Sequence, residues 1–332
     1  MSRTLLAAIA LASLAAACQV IELAPPRRHG PGVVADLTAD VAGHLDSLRA
    51  RTAAYARDLS TGREIAIRAD EPMNTASVIK LAVMVLAYRD AEAGRLRLDE
   101  RRPLRPEDYR RGTGLLQRLE PGLEPTWRDL VTQMIVTSDN TATDILIGTL
   151  GLDRVNRMLD SLGYRETRLL HTTGDAFRAL WVRADSANAG LSDREVFERG
   201  FPSDPDAGAR SFAFVQDSSW WLGRTTARET GRLLEQLEHG ELAGPEATEA
   251  MRRTLLAQFY RSRLPARLPG EVDVGHKTGD WPPVLANDVG IVYAPRGPIV
   301  VAVFGSDNRG DFQTLETAIA VVARDIYEAW GR

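Results

Sequence analysis

Residues 77–91 read SVIKLAVMVLAYRDA, in which a serine and a lysine three residues apart open a strongly apolar stretch. This run predicts a buried helix from Val78 to Ala91, with Ser77 near its N-terminus. Ser77 and Lys80 then share one face of the helix, because three residues is close to one turn. Burial lowers the pKa of an amine. The stretch therefore predicts Ser77 as a nucleophile and Lys80 as its proton acceptor.

Lysine is rare in this chain. Lys80 and Lys277 are the two lysines among 41 basic residues, and the others are arginines. Arginine stays protonated in proteins, whereas a desolvated lysine can lose its proton and act as a base. A surface serine one turn before a lysine would produce the same spacing. Because arginine is used everywhere else, the two lysines nevertheless indicate positions that need an amine able to lose its proton.

Composition excludes several classes of function. The net charge is −4, and the arginines are dispersed among 45 acidic residues, which argues against nucleic-acid binding. The five histidines show no metal-ligand spacing, so neither a metal nor another cofactor is expected. A length of 332 residues suits one or two domains, and a monomer is the default expectation.

The N-terminus has the pattern of an export signal. Arg3 precedes an apolar run from Leu5 to Ala17 that is too short for a stable membrane span. Residues 1–17 are therefore predicted to be a signal peptide, and residues 18–35 a tether. Cys18, the single cysteine, is either lipidated as a membrane anchor or incidental to cleavage after Ala17. Both interpretations predict an exported protein of the periplasm or cell envelope.

Strand patterns occur at both ends of the chain. Two runs lie near the start and three near the end: 53–57, 64–68, 272–278, 288–293 and 299–304. They predict an α+β fold in which one antiparallel sheet is built from N- and C-terminal strands and flanked by helices. An all-helical subdomain is expected beside it. The predicted domain spans residues 36–332. Its α/β part covers about 36–80 and 225–332, and its helical part covers about 81–224. Within the helical part, residues 171–221 show no clear secondary-structure pattern.

Two further motifs allow either a structural or a functional interpretation. Ser138-Asp139-Asn140 lies between helical runs at 127–137 and 141–150, and is either a helix cap or part of a site. The same triplet at Ser306-Asp307-Asn308 follows a strand and is interpreted as a turn. Lys277-Thr278-Gly279, followed by Asp280, combines a cation, a hydroxyl and a backbone N–H, and is either an anion-binding strand edge or a strand end with a turn glycine.

Together the three motifs resemble the serine acyl-enzyme superfamily of class A β-lactamases and penicillin-binding proteins, in which their order and spacing recur. The resemblance extends over about residues 36–330. Other segments that look like family landmarks are 112–116, 127–150, 225–228 and 287–290.

The resemblance implies a role for each motif residue. Ser77 would be acylated, Lys80 would accept its proton, and Ser138 would relay a proton to the leaving nitrogen. Asn140 would hold the side-chain amide of the substrate. Lys277, Thr278, Gly279 and Asp280 of the strand would bind the substrate. Lys277 and Thr278 would bind the substrate carboxylate, and the N–H groups of Ser77 and Asp280 would form the oxyanion hole. The substrate would be a small molecule, a β-lactam or a D-alanyl peptide.

One segment departs from the family pattern. After Thr167-Arg168-Leu169, class A enzymes carry a glutamate and an asparagine that position the deacylating water, but here the glutamate position is Thr173 and the asparagine position is Phe177. Asp175 is a nearby carboxylate that a rearranged loop would bring closer. General-base catalysis is worth about 10²–10⁴-fold, so its loss slows hydrolysis of an acyl-enzyme. Three hypotheses stay open: a class A-type β-lactamase, a D-alanyl peptidase or esterase, and a penicillin receptor that stays acylated.

Overall fold

The computed structural model describes the backbone of residues 31–332 and the side chains of residues 36–332. The predicted signal peptide, Cys18 and most of the predicted tether lie outside these described residues. The first helix begins at Pro31 and so includes the end of the predicted tether. Between residues 31 and 332, no helix combines the length and apolarity needed to cross a membrane.

The strands in the described part of the chain form two antiparallel sheets. They are β1 (Arg51–Asp58), β2 (Glu64–Ile67), β3 (Met73–Asn74), β4 (Arg168–Leu169), β5 (Gly223–Thr225), β6 (Asp273–Trp281), β7 (Leu285–Ala294) and β8 (Gly297–Ser306). The larger sheet has the order β2-β1-β8-β7-β6. Strands from the two ends of the chain pair along β1 and β8, with Arg51 opposite Ser306. This confirms the predicted sheet. The small sheet β3-β5-β4 was not predicted.

Helices make up most of the rest. Those of the described residues are α1 (Pro31–Asp46), α2 (Lys80–Glu92), α3 (Trp127–Val136), α4 (Asn140–Leu150), α5 (Leu152–Ser161), α6 (Thr173–Ala184), α7 (Asp193–Arg199), α8 (Ala207–Gln216), α9 (Ala227–Glu238), α10 (Pro245–Leu256) and α11 (Phe312–Trp330). Several begin at a side chain that accepts a first-turn N–H, as Thr126 does for Asp129 and Asp311 for Thr314.

The larger sheet separates two hydrophobic cores. Side chains alternate along β1, so Ala53 and Tyr55 join a core with α2, whereas Ala54 and Ala56 join a core with α1 and α11. The first core continues into α3, α4 and α5 of the helical part. The predicted α+β architecture, a sheet covered by helices on both faces beside a helical region, is therefore confirmed.

Residues 171–221, for which the sequence predicted no structure, contain three helices. The last two have narrow apolar faces: α7 buries only Val196, and α8 buries only Phe214 and Val215, whereas α6 buries six residues. Helical periodicity is weak when so few positions are buried. Packing against neighbouring parts of the chain, rather than a strong amphipathic pattern, stabilises these helices.

Candidate active site

Ser77 lies in a 3₁₀ turn, Ala76–Ile79, that leads directly into α2. It is partly exposed at the wall of a cavity of about 650 Å³, while Val78 and Ile79 are buried. Ala76 has a left-handed φ of 40°, a conformation that costs a non-glycine residue about 1–3 kcal/mol. Its N–H donates to Asn74 Oδ1 at 2.9 Å, which helps to hold this backbone. The turn thus presents Ser77 to the cavity on a well-packed support.

The two lysines of the chain meet at Ser138, and both side chains are fully buried. Lys80 Nζ lies 2.7 Å from the Ser138 carbonyl oxygen, 2.9 Å from Asn140 Oδ1 and 3.2 Å from Ser138 Oγ. Lys277 Nζ lies 3.0 Å from the same Ser138 Oγ and donates to the Thr278 carbonyl at 2.8 Å. The hydroxyl of Ser138 therefore bridges the two amines.

Protonation of Lys80 is disfavoured in this network. Burial lowers the pKa of Lys80 well below its ordinary value, and the nearby Lys277 lowers it further. A neutral amine has two N–H donors and one lone pair. The two carbonyl oxygens of Ser138 and Asn140 can take the donors, and the lone pair can accept the Ser138 hydroxyl proton. Among the described residues, the hydrogen-bond partners of Lys80 do not include Ser77, although the sequence predicted that contact.

Burial also affects Lys277 and makes stability depend on pH. Burial lowers the pKa of Lys277 to about 7, against the opposing effect of the Asp280 and Asp288 carboxylates. In the unfolded chain the amine keeps its ordinary pKa of 10.5. Between these values the unfolded chain binds more protons than the folded one, so the free energy of unfolding rises with pH.

We therefore expect the folded domain to gain stability from pH 7.5 to pH 9. Lys277 contributes about 1 kcal/mol per pH unit, and the lowered pKa of Lys80 acts in the same direction. Urea denaturation across this range measures the slope, and Lys277→Met should reduce it by removing one of the two titrating amines. A stability that is constant or falls over the range would contradict the prediction.

The triplet Ser138-Asp139-Asn140 is both a helix cap and part of this network. Asp139 caps α4 by accepting the Ala142 N–H at 2.9 Å, and its other oxygen accepts the Leu116 N–H at 2.8 Å. Ser138 has a φ of 56°, which turns its hydroxyl toward the amines. Asn140 Oδ1 faces Lys80, while Nδ2 donates to the Arg111 carbonyl at 2.9 Å. The two interpretations of the triplet are therefore compatible.

The second copy of the triplet has a different environment. Ser306 ends β8, and Asp307 turns the chain with a φ of 54°. Asn308 Nδ2 donates to the Pro283 carbonyl at 2.9 Å and closes the turn. These residues do not line the cavity. The interpretation of this copy as a turn agrees with the structure.

Lys277, Thr278 and Gly279 lie inside β6, the edge strand of the larger sheet, rather than at its end. Gly279 is therefore not a turn glycine. A Cβ atom there would lie 2.5 Å from the carbonyl oxygen of Thr75, so only glycine allows the segment before Ser77 to approach the strand this closely. The Oγ1 of Thr278 is buried and has no hydrogen-bond partner among the described residues.

The strand register places the N–H of Asp280 on the open edge of the sheet. The carbonyl of His276 accepts from Gln258, and that of Thr278 accepts from Lys277, so both point away from β7. In an antiparallel strand, the N–H and C=O of alternate residues point to the same side. Asp280 continues this alternation, and it lines the same cavity as Ser77. The geometry is compatible with the predicted oxyanion hole.

Thr173 occupies the first position of α6, after the N-cap Thr172. It is buried and lines the cavity together with Ser77 and Asn140. Its N–H donates to Asp144 Oδ1 at 2.8 Å, and its Oγ1 lies 3.5 Å from the Asn140 carbonyl oxygen. A hydroxyl cannot act as the general base that a glutamate would supply here.

The two carboxylates close to Thr173, those of Asp175 and Asp144, are bound to other partners. Burial alone would raise the pKa of Asp175, but hydrogen bonds from Thr172 and the Arg178 charge outweigh it and leave that pKa below its ordinary value. Asp175 closes the capping box of α6 and does not line the cavity. Asp144 is held by the N–H groups of Thr173 and Gly174 and by Arg110. The structure therefore does not bring Asp175 into the site.

Arg263 is a cavity residue that the sequence did not predict. Its side chain is 4% exposed, and Nη1 donates to the Asn287 carbonyl at 2.8 Å. It also contacts Asp280, on β6, and Glu316, on α11. Nothing in the sequence distinguishes it from its neighbours Arg261 and Arg267, so no local signal was available.

The remainder of the cavity wall is rich in aromatic side chains. The aromatic residues that line it are Phe177, Phe201, Phe214, Trp220, Trp221, Tyr260, Trp281 and Phe312. Most come from the region 171–221, so these helices form one wall of the pocket. Among the described residues, no group of three or more His, Cys, Asp or Glu side chains is arranged to hold a metal ion.

Comparisons with known proteins extend the similarity over the whole domain. A model of the beta-lactamase enzyme family matches residues 36–330. A β-lactamase of Streptomyces albus G is 29% identical over 99% of this chain and 97% of its own length. The β-lactamase regulatory protein BlaB of Streptomyces cacaoi is 26% identical over 82% of this chain and 92% of its own length. The crystal structure of a β-lactamase from Sphaerobacter thermophilus is 28% identical, covers 91% of this chain and 98% of that chain, and has a TM-score of 0.71.

Proposed function

The chain belongs to the β-lactamase enzyme family, and from this premise we propose that it is a serine hydrolase of the class A type that opens the amide bond of a β-lactam through an acyl-enzyme at Ser77. The observation that carries the proposal is the buried contact of Lys80 and Lys277 with one hydroxyl, that of Ser138. Such a network supports the proposal because it combines a neutral amine, a proton relay and a second amine, and because Lys80 lies one turn after Ser77, which lines the cavity.

Acylation follows from this arrangement. Lys80 takes the Ser77 hydroxyl proton as Oγ attacks the substrate carbonyl carbon, and the N–H groups of Ser77 and Asp280 stabilise the resulting oxyanion. The carbon–nitrogen bond then breaks, and the leaving nitrogen takes the proton of the Ser138 hydroxyl. Ser138 recovers a proton from Lys80, which lies 3.2 Å away. The amine is thus neutral again when the acyl-enzyme has formed.

Deacylation is the slower half of the proposed cycle. Water must attack the Ser77 ester, and a general base normally accelerates such a step by about 10²–10⁴-fold. Thr173 supplies no base, and Asp175 does not line the cavity. This favours a second candidate function, a penicillin receptor or D-alanyl peptidase that keeps its acyl group for long periods. Similarity to the regulatory protein BlaB is in keeping with the receptor alternative.

We also propose that the protein is exported and acts in the periplasm or cell envelope as a monomer. The support is the sequence of residues 1–17, with its basic start and short apolar run. Lipidation of Cys18 would anchor the domain to a membrane, and simple cleavage after Ala17 would release it.

Intact-protein mass spectrometry over time distinguishes these functions. After penicillin G is added, a transient adduct with hydrolysed drug in solution supports a β-lactamase, and a lasting adduct without product supports a receptor. Release of D-alanine from a D-Ala-D-Ala peptide supports the peptidase. Ser77→Ala is the control, and an adduct of equal amount on this variant would exclude an acyl-enzyme at Ser77.

A further inference from the structure

Residues 111–113 hold the side chain and backbone of Asn140 in place. Asn140 Nδ2 donates to the Arg111 carbonyl at 2.9 Å, and the backbone N–H of Asn140 donates to the Thr113 carbonyl at 3.1 Å. A Cβ atom on Gly112, whose φ is 95°, would lie 2.7 Å from Asn140 Nδ2. The position of Asn140 therefore depends on the course of this short segment.

The orientation of the Asn140 amide follows from its two neighbours. Oδ1 lies 2.9 Å from Lys80 Nζ, which is a donor, and Nδ2 faces the Arg111 carbonyl, which can only accept. The amide nitrogen carries two N–H groups. Among the described residues, the Arg111 carbonyl takes one of them, so the other can donate to an acceptor in the cavity that Asn140 lines.

Helix α7 anchors residues 111–113 from the side opposite Asn140. The carbonyl of Phe197 accepts from Arg111 Nε at 2.6 Å, and the Arg111 guanidinium carbon lies 4.5 Å from the centre of the Phe197 ring. This stacking of a cation on an aromatic face is attractive. The same ring lies 5.6 Å from that of the buried Tyr109, and Arg110 contacts Asp193 at the start of α7. Helix α7 therefore fixes the segment that in turn holds Asn140.

We infer that Arg111 and Phe197 are positioning residues, which hold Asn140 so that its second N–H selects substrates with an acylamino group next to the reactive carbonyl. The inference rests on the proposed function, since it concerns the substrate of the same site. Neither Arg111 nor Phe197 lines the cavity, so their effect on the substrate passes through Asn140.

The same contacts separate substrate recognition from proton transfer. Lys80 keeps the carbonyl and the hydroxyl of Ser138 as partners, at 2.7 Å and 3.2 Å, whatever the position of the Asn140 amide. A small displacement of Asn140 therefore weakens the hydrogen bond to an acylamino carbonyl more than it disturbs the amine.

A matched pair of substrates tests the inference. Penicillin G and penicillanic acid share the fused rings and the carboxylate, and they differ only in the acylamino group. Intact-protein mass spectrometry gives the rate of Ser77 acylation by each. Arg111→Met removes the guanidinium but keeps the backbone carbonyl. We expect it to lower the ratio of the penicillin G rate to the penicillanic acid rate by about fivefold or more, the usual worth of one hydrogen bond. This ratio does not depend on the fraction of protein that is folded.

Further variants test the same connection from its other parts. Phe197→Leu should lower the ratio in the same direction, and Phe197→Tyr, which keeps the ring, should retain the wild-type ratio. Arg199→Met is the matched control, because Arg199 lies on the same helix and stacks on Trp181 instead, at 5.8 Å. In an Asn140→Ala background, Arg111→Met should have no further effect on the penicillin G rate, since residues that act through one another are not additive.

The outcomes separate the possible failures. An unchanged ratio in Arg111→Met or Phe197→Leu, or an equal fall in Arg199→Met, overturns the inference while leaving the acyl-enzyme intact. A further loss of the penicillin G rate when Arg111→Met is added to Asn140→Ala overturns it as well. If penicillin G forms no adduct on Ser77 of the wild-type protein, the proposed function fails, and the inference with it.

Discussion

Replacing Thr173 with glutamate is expected to accelerate hydrolysis of the penicilloyl enzyme by about 10²–10⁴-fold, the usual worth of a placed general base. The side chain of residue 173 lines the cavity beside Ser77 and Asn140. A longer side chain at this position therefore extends toward the acyl ester. The neighbouring Asp144 carboxylate is paired with Arg110, which limits its repulsion of a new negative charge. The rate of adduct loss after removal of free penicillin measures the effect.

Thr173→Gln is the matched control, because glutamine has the same length but no basic oxygen. We expect it to deacylate as slowly as the wild-type protein. Equal deacylation rates in the glutamate and glutamine variants would mean that a base at residue 173 does not reach the water. The rate of deacylation would then be limited by something other than the missing base at this position.

Removing the Ser138 hydroxyl should reduce acylation of Ser77 by about 10²–10⁴-fold. Ser138→Ala deletes the group that bridges Lys80 and Lys277, so the leaving nitrogen loses its proton donor. The backbone contact between Lys80 and the Ser138 carbonyl is retained, and the fold should therefore be preserved. Stopped-flow or quenched-flow acylation by a chromogenic β-lactam gives the rate.

The chain provides its own control for this substitution. Ser306→Ala changes the serine of the second triplet, which is equally buried but lies at the end of β8 away from the cavity. We expect its acylation rate to match that of the wild type. Similar losses in both variants would indicate a general effect on stability rather than a proton relay through Ser138.

The sheet and the motif residues were predictable from sequence because their signals are local. Alternating apolar residues marked the strands, and Lys80 and Lys277 stood out in a chain that otherwise uses arginine. The position of both amines at the Ser138 hydroxyl depends on long-range packing, and no spacing in the sequence predicted it. The predicted Ser77–Lys80 hydrogen bond was derived from helix spacing alone, and the structure instead directs Lys80 toward Ser138.

The aromatic wall and the Arg263 ion pair were not predictable for a physical reason. The helices α7 and α8 bury few residues each, so their periodicity is weak. Arg263 contacts Asp280 on β6 and Glu316 on α11, and no spacing in the sequence predicts contacts between such distant segments. Residues that line the cavity through such long-range packing are therefore less visible in this sequence than the motif residues.

The burial of both lysines makes this protein a favourable subject for spectroscopy. Because Lys80 and Lys277 are the two lysines of the chain, selective nitrogen-15 labelling of lysine side chains yields two ε-amine signals, one from each side of the Ser138 hydroxyl. The surface contributes none, so no background needs to be assigned. The protonation state of each amine can thus be followed by magnetic resonance in the free protein and in the acyl-enzyme.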